Sequence, residues 1–426
     1  MQVATSLPQL QAFLDRSTLG FSVEAVTWAD MQGWHFHEGA LSHRSGGFFS
    51  VAGVEFPDSG GKEAILLFQP QSAITGLLTT VMDGERHFLL QARAEPGTPG
   101  QAQYGPTVQS TPANYLRAHG GKATAYVDRF TTCTPSVRVL HDSMQLDLGE
   151  RYLLKSKRLI VAECAPDIAL EDGFVWVAAR VISQAIRQPT FFNIDLCSLL
   201  AVCAWNEPGE GQLRPVEPAV QASLQLPVRA ERLAAVLAEL SGPIARYRFK
   251  DIGRLDNWEI SPNGIHERDC RQGFDIGYFF TTARGREVGS WFQPLVDSRS
   301  DGHAVLACRL REDALEVRVS IGAESGLQTG RALLPSHLRY PGTPSAEQTL
   351  DGRVLLRTAA SDEGGRFFRD VSRYELVMTS PADERPGVWL RVSELKWLLA
   401  NSNLISIQLR GLTSLLLGSF ECSESA

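Results

Sequence analysis

The segment HFLLQARAEPG, residues 87–97, predicts a strand with two different faces, and EVRVSIGAESG at 316–326 repeats its pattern. Alternation of apolar and polar residues is typical of a strand with one buried face. The predicted core faces are formed by Phe88, Leu90, Ala92 and Ala94 in the first segment and by Val317, Val319, Ile321 and Ala323 in the second. The two segments therefore predict equivalent strands in two similar sheets.

The polar faces of these two strands differ. Gln91, Arg93 and Glu95 project from the first strand, each roughly 7 Å from the next. In the second strand Gln91 and Arg93 are replaced by serine and glycine, and only the glutamate persists, as Glu324. Because the full set of polar residues occurs in the first segment alone, we expect the first copy to hold the working pocket. Simple sequence drift of the second copy is an alternative.

The repetition extends outward on both sides of this strand. AILLFQPQ at 64–71 matches VGSWFQPL at 288–295, and QLDLGERYLLKSKRLIV at 145–161 matches SDEGGRFFRDVSRYELV at 361–377. Residues 176–200 align without gaps with residues 389–413. Matching blocks in the same order predict an internal duplication.

The predicted halves are residues 1–204 and 229–426. Residues 205–228 carry four prolines and two glycines and suit a linker. The helical patterns LPQLQAFLDR and RAERLAAVLAEL open the two halves. Strands mixed with a few helices predict the α+β class, with each half an α/β sandwich.

Composition excludes several classes of function. The 426 residues are 43% hydrophobic with a net charge of −7, which argues against a general nucleic-acid binder. No signal peptide or membrane span is expected, and seven scattered cysteines favour a cytoplasmic protein. No HExxH, Walker, GxGxxG or GxSxG motif occurs, so no metal or cofactor is expected.

The polar strand and the loop after it predict a site for a hydroxyl-rich, phosphorylated ligand. Glu95 and His119 are candidate acids or bases, with their roles left open. Gln91, Gln109, Asn114 and Tyr115 can donate hydrogen bonds, whereas Arg93 and Arg158 can clamp phosphate. A solvated Arg93–Glu95 pair and ordinary turn chemistry around Asn114 are the structural alternatives.

The sequence closely resembles the NDP-hexose 2,3-dehydratases over nearly its whole length. The resemblance is carried by LLQARAEPG (89–97), YGPTVQSTPANYLRAHGG (104–121), REVGSWFQP (286–294) and SDEGGRFF…SRYELV (361–377). It implies two tandem Nudix-like modules without a Nudix box, of which one pocket works. It also implies a homodimer that takes part in deoxysugar biosynthesis for antibiotics.

The resemblance implies dTDP-4-keto-6-deoxyglucose as substrate and a downstream NADPH-dependent 3-ketoreductase as partner. A base removes the C3 hydrogen beside the ketone, an acid protonates the leaving C2 hydroxyl, and the ketone serves as electron sink without a cofactor. The expected catalytic residues are Glu95, His119, Gln91 and Tyr115. The expected substrate-binding residues are Arg93, Thr107, Gln109, Asn114, Arg158, Trp34, His43, Gln69, Arg366 and Arg373, with Trp34 or Phe68 as a candidate to stack on thymine.

The sequence departs from the family pattern at Leu146, Asp147, Lys157 and Leu159, where the family has a Ser-Glu pair and two asparagines. These changes motivate an alternative, a lapsed homologue that binds a nucleotide sugar without turnover. A duplicated scaffold that binds another protein is a third interpretation, supported only by the repeat.

Overall fold

A computed structural model describes residues 2–18, 20–116, 123–132, 136–203, 211–283, 288–344, 351–418 and 420–422. In these residues the fold combines several β-sheets with α-helices, in agreement with the predicted α+β class. No helix in the described ranges is long and apolar enough to cross a membrane.

The strands of the N-terminal part are β1 (Val3–Ala4), β2 (Ser22–Ala25), β3 (Trp34–His37), β4 (Ala40–His43), β5 (Ser50–Phe56), β6 (Lys62–Phe68), β7 (Ala73–Met82), β8 (Glu85–Ala94), β9 (Ala102–Gly105), β10 (Val108–Ser110), β11 (Val137–Leu146), β12 (Tyr152–Leu153), β13 (Ser156–Cys164), β14 (Phe174–Ala178) and β15 (Leu213–Pro215). The strands of the C-terminal part are β16 (Arg248–Lys250), β17 (Trp258–Ser261), β18 (Gly264–Glu267), β19 (Phe274–Thr282), β20 (Ser290–Ser298), β21 (Gly302–Arg311), β22 (Ala314–Ala323), β23 (Arg331–Pro335), β24 (His337–Arg339), β25 (Arg353–Ser361), β26 (Val371–Met378), β27 (Val388–Arg391) and β28 (Phe420–Cys422).

The α-helices are α1 (Leu7–Ser17), α2 (Pro112–Tyr115), α3 (Asp128–Thr131), α4 (Ala179–Ala185), α5 (Ile194–Val202), α6 (Pro218–Gln225), α7 (Ala230–Leu240), α8 (Val392–Asn401) and α9 (Ile407–Leu417). Helices α1 and α7 confirm the two predicted opening helices. Both bury one apolar side, as an amphipathic pattern requires.

Two large sheets share one strand order. The first runs β1-β14-β8-β7-β13-β11, with β9 beside β8 and β10 beside β7. The second runs β23-β22-β21-β26-β25, with β24 beside β21 and β27 beside β22. Each has a central parallel pair, β7 with β13 and β21 with β26. Strands β8 and β22 confirm the two strands predicted from alternation.

Two small sheets exchange a strand between the halves. The first consists of β12, β6, β5, β4 and β3, and β16 from the C-terminal part pairs with β5. The second consists of β17, β18, β19 and β20, and β2 from the N-terminal part pairs with β19. Backbone hydrogen bonds therefore tie the two halves together in both directions.

Helices α5 and α9 pack against each other inside the molecule. Every residue of both helices is buried, including Asp195 at the start of α5 and Arg410 in α9. A helix that is covered on all sides needs apolar residues all round, which explains the runs IDLCSLLAV and IQLRGLTSLLL.

The loop after each long polar strand packs against the other half. A Cβ on Gly97 would lie 1.5 Å from the carbonyl oxygen of Phe367, and one on Gly326 would lie 2.0 Å from the carbonyl oxygen of Tyr152. Gly97 also donates a 2.8 Å hydrogen bond to the carbonyl of Gly364. Only glycine permits such close backbone approach, so Gly97 and Gly326 allow the backbones of the two halves to pack directly against each other.

Part of the predicted linker is regular structure. Pro218–Gln225 form α6, which buries Ala219, Val220 and Leu224 against the second large sheet and α8. Proline is well tolerated in the first turn of a helix, so Pro218 begins this helix instead of breaking it.

Candidate active site

A cleft between the two halves begins at the end of β8. Its empty volume is about 1150 Å³, counted together with the part open to solvent. Both halves supply its walls: Gly47, Phe48, Phe49, Gln69, Ala73, Arg93, Glu95, Pro96, Gln109, Ser110, Thr111, Asn114, Lys155, Lys157 and Asp195 from the first, and Val288, Trp291, Gln293, Glu363, Gly365 and Arg366 from the second.

Two buried lysines stand at the start of β13. The Lys157 Nζ atom lies 2.8 Å from Asp195 Oδ1 and 3.1 Å from Asp147 Oδ2. The Lys155 Nζ atom lies 3.5 Å from the same Asp147 oxygen and 3.9 Å from the centre of the Tyr152 ring. Lys157 is thus held by two carboxylates, whereas the ionic contact of Lys155 within the described part of the chain is single and longer.

The unequal contacts give the two ammonium groups opposite pKa shifts. Burial and the charge of Arg366 lower the pKa of Lys155 to about 7, against the opposing pull of Asp147. Burial also disfavours the charge of Lys157, but Asp147 and Asp195 outweigh it and raise the pKa of Lys157. Lys155 is therefore the more acidic ammonium of the pair.

The second half contributes a polar group to the floor of the cleft. The Tyr152 hydroxyl donates a 2.6 Å hydrogen bond to Glu363, and the Arg366 guanidinium donates one of 2.7 Å to Gln69. Burial and the Glu363 charge raise the pKa of Tyr152 well above its usual range. Tyr152 is therefore a neutral hydrogen-bond donor at physiological pH.

Arg93 and Glu95, at the end of β8, line the cleft, and Gln91 contacts Arg93. The Arg93 guanidinium donates to Gln91 Oε1 at 2.7 Å and to Glu95 Oε1 at 3.0 Å. Glu95 is 5% exposed. A carboxylate held at this position can accept a proton from a ligand in the cleft.

Of the residues predicted from sequence, the structure brings six together on the cleft wall, namely Gln69, Arg93, Glu95, Gln109, Asn114 and Arg366. The Gln109 side-chain oxygen accepts a 2.8 Å hydrogen bond from Asn193, which leaves its amide group to donate. Asn114 lies in the short helix α2 at the rim.

Other predicted residues lie elsewhere. The Thr107 hydroxyl donates to the carbonyl of Leu89 at 2.6 Å inside the sheet. Arg158 pairs with Asp142 on the opposite face of β13, because neighbouring strand residues point to opposite sides. Arg373 lies on the second large sheet, 3.4 Å from Glu375.

The aromatic and histidine side chains that were predicted to bind the substrate mostly contact other groups of the protein. The Trp34 indole donates a 2.7 Å hydrogen bond to the carbonyl of Phe292, and the His43 ring packs 4.5 Å from Phe48. Phe68 packs against Phe249. Tyr115 packs beside the apolar cluster that contains Phe130.

His119 lies outside the described residues.

The corresponding region of the second half has different chemistry. Lys157 pairs with Ala73 of β7, and Ser372 pairs with Gly302 of β21, so the two residues occupy the same register. By the same spacing Lys155 corresponds to Asp370. The two lysines are thus replaced by a carboxylate and a hydroxyl.

Around Glu324, the residue that corresponds to Glu95, side chains and backbone groups of both halves contact one another. The Tyr340 hydroxyl donates a hydrogen bond to Glu324, and burial raises the pKa of Glu324 to about 8. The Arg151 guanidinium donates to the carbonyl of Pro341 at 2.7 Å and stacks over Phe274. Glu324, the counterpart of Glu95, is satisfied by internal partners.

Sequence reasoning missed Lys155, Asp195, Glu363, Trp291 and Gln293 as cleft residues. A signal for Lys155 was present, because the segment 145–161 has two lysines where the matching segment 361–377 has Asp370 and Ser372. Lysine is rarely placed on a core-facing strand position without a function or a partner. Asp195 gave no such signal, because aspartate is common at the start of a helix, where its negative charge interacts favourably with the helix dipole.

No group of three or more His, Cys, Asp and Glu side chains suited to a metal ion occurs within the described residues.

A cleft that joins cations, carboxylates, amides and aromatic rings has the make-up of an enzyme active site for a polar, anionic substrate. The sequence profile of the NDP-hexose 2,3-dehydratases matches residues 10–203 and 243–416. The chain belongs to this family, and it is a dehydratase, a carbon–oxygen lyase.

Three curated relatives carry the name dTDP-4-dehydro-6-deoxy-alpha-D-glucopyranose 2,3-dehydratase. The relative from Streptomyces violaceoruber is 30% identical, and the match covers 90% of both chains. The relative from Amycolatopsis orientalis is 28% identical over 92% of this chain and 86% of its own length. The relative from Saccharopolyspora spinosa is 27% identical over 92% and 87%.

Proposed function

We propose that the chain removes water from dTDP-4-keto-6-deoxyglucose across C2 and C3, in the cleft at the end of β8. The observation that carries this proposal is the contrast between the two halves. The first half places Glu95, Arg93, Lys155 and Lys157 around an open cleft, whereas the corresponding positions of the second half hold Asp370, Ser372 and a Glu324 that is hydrogen-bonded by Tyr340. The names of the three relatives support the same substrate.

The proposed reaction begins at C3, whose hydrogen is acidified by the neighbouring ketone. The Glu95 carboxylate, held by Arg93, takes this proton. The electron pair forms an enolate across C3 and C4, and the cationic groups of Lys157 and Arg366 stabilise its charge. Loss of the C2 hydroxyl as water then gives an enol, which tautomerises to the 3,4-diketo-2,6-dideoxy sugar.

The cleft walls suit the rest of the substrate. Gln109 and Asn114 can donate hydrogen bonds to sugar or phosphate oxygens. The aromatic side chains on the wall are Phe48, Phe49 and Trp291. Arg366 lies over the Phe49 ring, so Phe48 and Trp291 are the better candidates to stack on a thymine ring, in place of Trp34 and Phe68.

The wider biological setting belongs to the same proposal. The product is an unstable diketone, so an NADPH-dependent 3-ketoreductase is the expected next enzyme, in a deoxysugar route to antibiotics. The free cysteines found in the described residues are consistent with a cytoplasmic protein. We also propose that the chain forms a homodimer.

We further propose that the halves arose by duplication of a Nudix-like module. The common strand order of the two large sheets and the reciprocal exchange of β2 and β16 support this origin. The two separate stretches matched by the family profile support it as well.

The experiment is incubation of purified protein with dTDP-4-keto-6-deoxyglucose, followed by chromatography. We expect enzyme-dependent release of dTDP, replaced by an intact reduced sugar nucleotide when a 3-ketoreductase and NADPH are added. Substrate recovered unchanged in the presence of tight binding would instead support the lapsed homologue, for which Lys157 in the cleft is the motivating difference.

A further inference from the structure

The proposed reaction needs a proton donor as well as a base. Hydroxide is a poor leaving group, so the C2 hydroxyl must receive a proton as its bond to carbon breaks. Glu95 is engaged by Arg93 as a carboxylate and is assigned to remove the C3 proton. The donor has to be a second group on the cleft wall.

We propose that the Lys155 ammonium donates this proton to the departing C2 hydroxyl. This inference rests on the proposed function. Lys155 lines the cleft and is 2% exposed, and its Nζ atom makes one ionic contact, 3.5 Å from Asp147. Among the described residues no hydrogen bond from this Nζ atom is found, so its protons are available to a ligand.

The neighbouring lysine is unsuited to the same task. Lys157 Nζ is held at 2.8 Å by Asp195 and at 3.1 Å by Asp147. Transfer of its proton would leave two buried carboxylates without a cation, which is costly. Lys157 therefore supplies fixed positive charge, and Lys155 supplies the mobile proton.

The charges around Lys155 favour loss of its proton. The groups that face it are the cations Arg366 and Lys157, the carboxylates Asp147 and Glu363, and the ring of Tyr152. Burial and the Arg366 charge dominate and bring its pKa to about 7, where a general acid works best at physiological pH.

The second half lacks this donor. Asp370, a carboxylate, stands at the position that corresponds to Lys155. The ammonium is thus specific to the half with the open cleft.

The atoms balance in the complete step. Glu95 receives the C3 proton, and the electron pair becomes the enolate. Collapse of the enolate re-forms the C4 carbonyl, places the double bond between C2 and C3, and breaks the C2–O bond. The leaving hydroxyl takes the Lys155 proton and departs as water, and the proton on Glu95 returns to Lys155 through solvent.

The test compares two leaving groups. In the 2-fluoro analogue of the proposed substrate, fluorine replaces the C2 hydroxyl, and fluoride departs without a proton. Lys155→Met should lower kcat/KM for loss of water by about 10²–10⁴, the usual contribution of a general acid, while fluoride release changes by less than about threefold. Fluoride is measured with an ion-selective electrode and water loss by the reductase-coupled assay.

Three further measurements sharpen the comparison. Lys155→Arg keeps the charge but cannot release a proton, so it should fail on the hydroxyl substrate as Lys155→Met does. The wild-type kcat/KM should fall as pH rises through about 7 for the hydroxyl substrate, and this limb should be absent for the fluoro analogue. Lys62→Met, on an exposed lysine of β6, is the matched control and should retain both reactions.

Equal loss of both reactions in Lys155→Met, or wild-type activity in Lys155→Arg, would overturn the proton-donor role. If Lys155→Met does not fold, the arginine variant and the wild-type pH profiles still decide the matter. Wild-type protein that eliminates neither water nor fluoride would contradict the proposed function itself.

Discussion

Lys155 and Asp370 occupy equivalent positions in the two large sheets, one as an ammonium beside an open cleft and the other as a buried carboxylate. The shared register of Lys157 with Ser372, two residues further along, fixes this equivalence. Two halves with one strand order thus place opposite charges at the same point. We therefore expect an anionic substrate to bind beside the ammonium of Lys155 and not beside the carboxylate of Asp370.

Asp370 should make the stability of the protein depend on pH. Burial and the neighbouring Asp370 raise the pKa of Asp362 to about 7, and burial raises that of Asp370 to about 6, from 3.8. The folded state then binds more protons than the unfolded state between about pH 4 and pH 7, so stability falls as pH rises through this window.

Asp370→Asn should remove part of the stability loss that occurs as the pH rises. We expect little change in the free energy of unfolding at pH 4 and an increase on the order of 2 kcal/mol at pH 8, measured by urea denaturation. Asp313→Asn, at an exposed turn, should show no such trend. A variant with unchanged pH dependence would show that Asp370 is ionised in the folded protein.

The Lys157–Asp195 pair should be important for folding. Asp195→Asn leaves Lys157 with Asp147 alone in a buried site and is expected to cost about 3 kcal/mol. Asp142→Asn, which breaks the exposed pair with Arg158, should cost less than about 1 kcal/mol. If Asp195→Asn and Asp142→Asn lower the stability equally in thermal denaturation, burial does not determine the contribution of the Lys157–Asp195 pair.

Gly97 should be sensitive to the smallest side chain. Gly97→Ala brings a Cβ into the carbonyl of Phe367, and overpacking of this kind costs about 1–3 kcal/mol. Because Glu95 lies two residues away, turnover should fall as well. Gly289→Ala is the control, since a Cβ there meets nothing within 4 Å. Normal stability and activity of the Gly97→Ala protein would mean that the backbone around Phe367 can move away from residue 97 without harm.

Trp291 should contribute to nucleotide binding. Base–aromatic stacking is worth about 1–3 kcal/mol, so Trp291→Ala should weaken dTDP binding by roughly tenfold to a hundredfold, measured by calorimetry. Trp258→Ala removes a buried indole of β17 that does not line the cleft, and it is expected to affect stability more than dTDP affinity. Unchanged dTDP affinity in Trp291→Ala would show that the thymine ring does not stack on Trp291.

The large-sheet strands and much of the polar wall could be predicted from sequence. Alternation in residues 87–97 and 316–326 located β8 and β22. The expected single buried face was wrong, since Leu89 on the other face of β8 and Arg318 on the other face of β22 are buried as well. The replacement of Gln91 and Arg93 by Ser320 and Gly322 in the matching segment pointed to the strand face on which Arg93 lines the cleft.

Contacts between the halves could not be predicted in this way. Glu363 and Trp291 reach the cleft from the second half, and the exchange of β2 and β16 depends on how the two halves associate. Periodicity reports which face of an element is buried, but not which distant element covers it. The position of Arg158 was missed for a simpler reason, since it points away from its neighbour Lys157.

The central claim is that dehydration takes place at Glu95 in the first half and not at its counterpart in the second. The most direct measurement is the kcat of Glu95→Gln and of Glu324→Gln on dTDP-4-keto-6-deoxyglucose, with the 3-ketoreductase and NADPH present in excess. Glutamine matches the protonated Glu324 that its raised pKa of about 8 predicts, so that variant should keep nearly full activity.

Glu95→Gln should lose at least about 10² in kcat with little change in KM, because a base acts in the transition state more than in substrate binding. The reverse result, an active Glu95→Gln protein and an inactive, folded Glu324→Gln protein, would contradict the account and move the reaction to the second half.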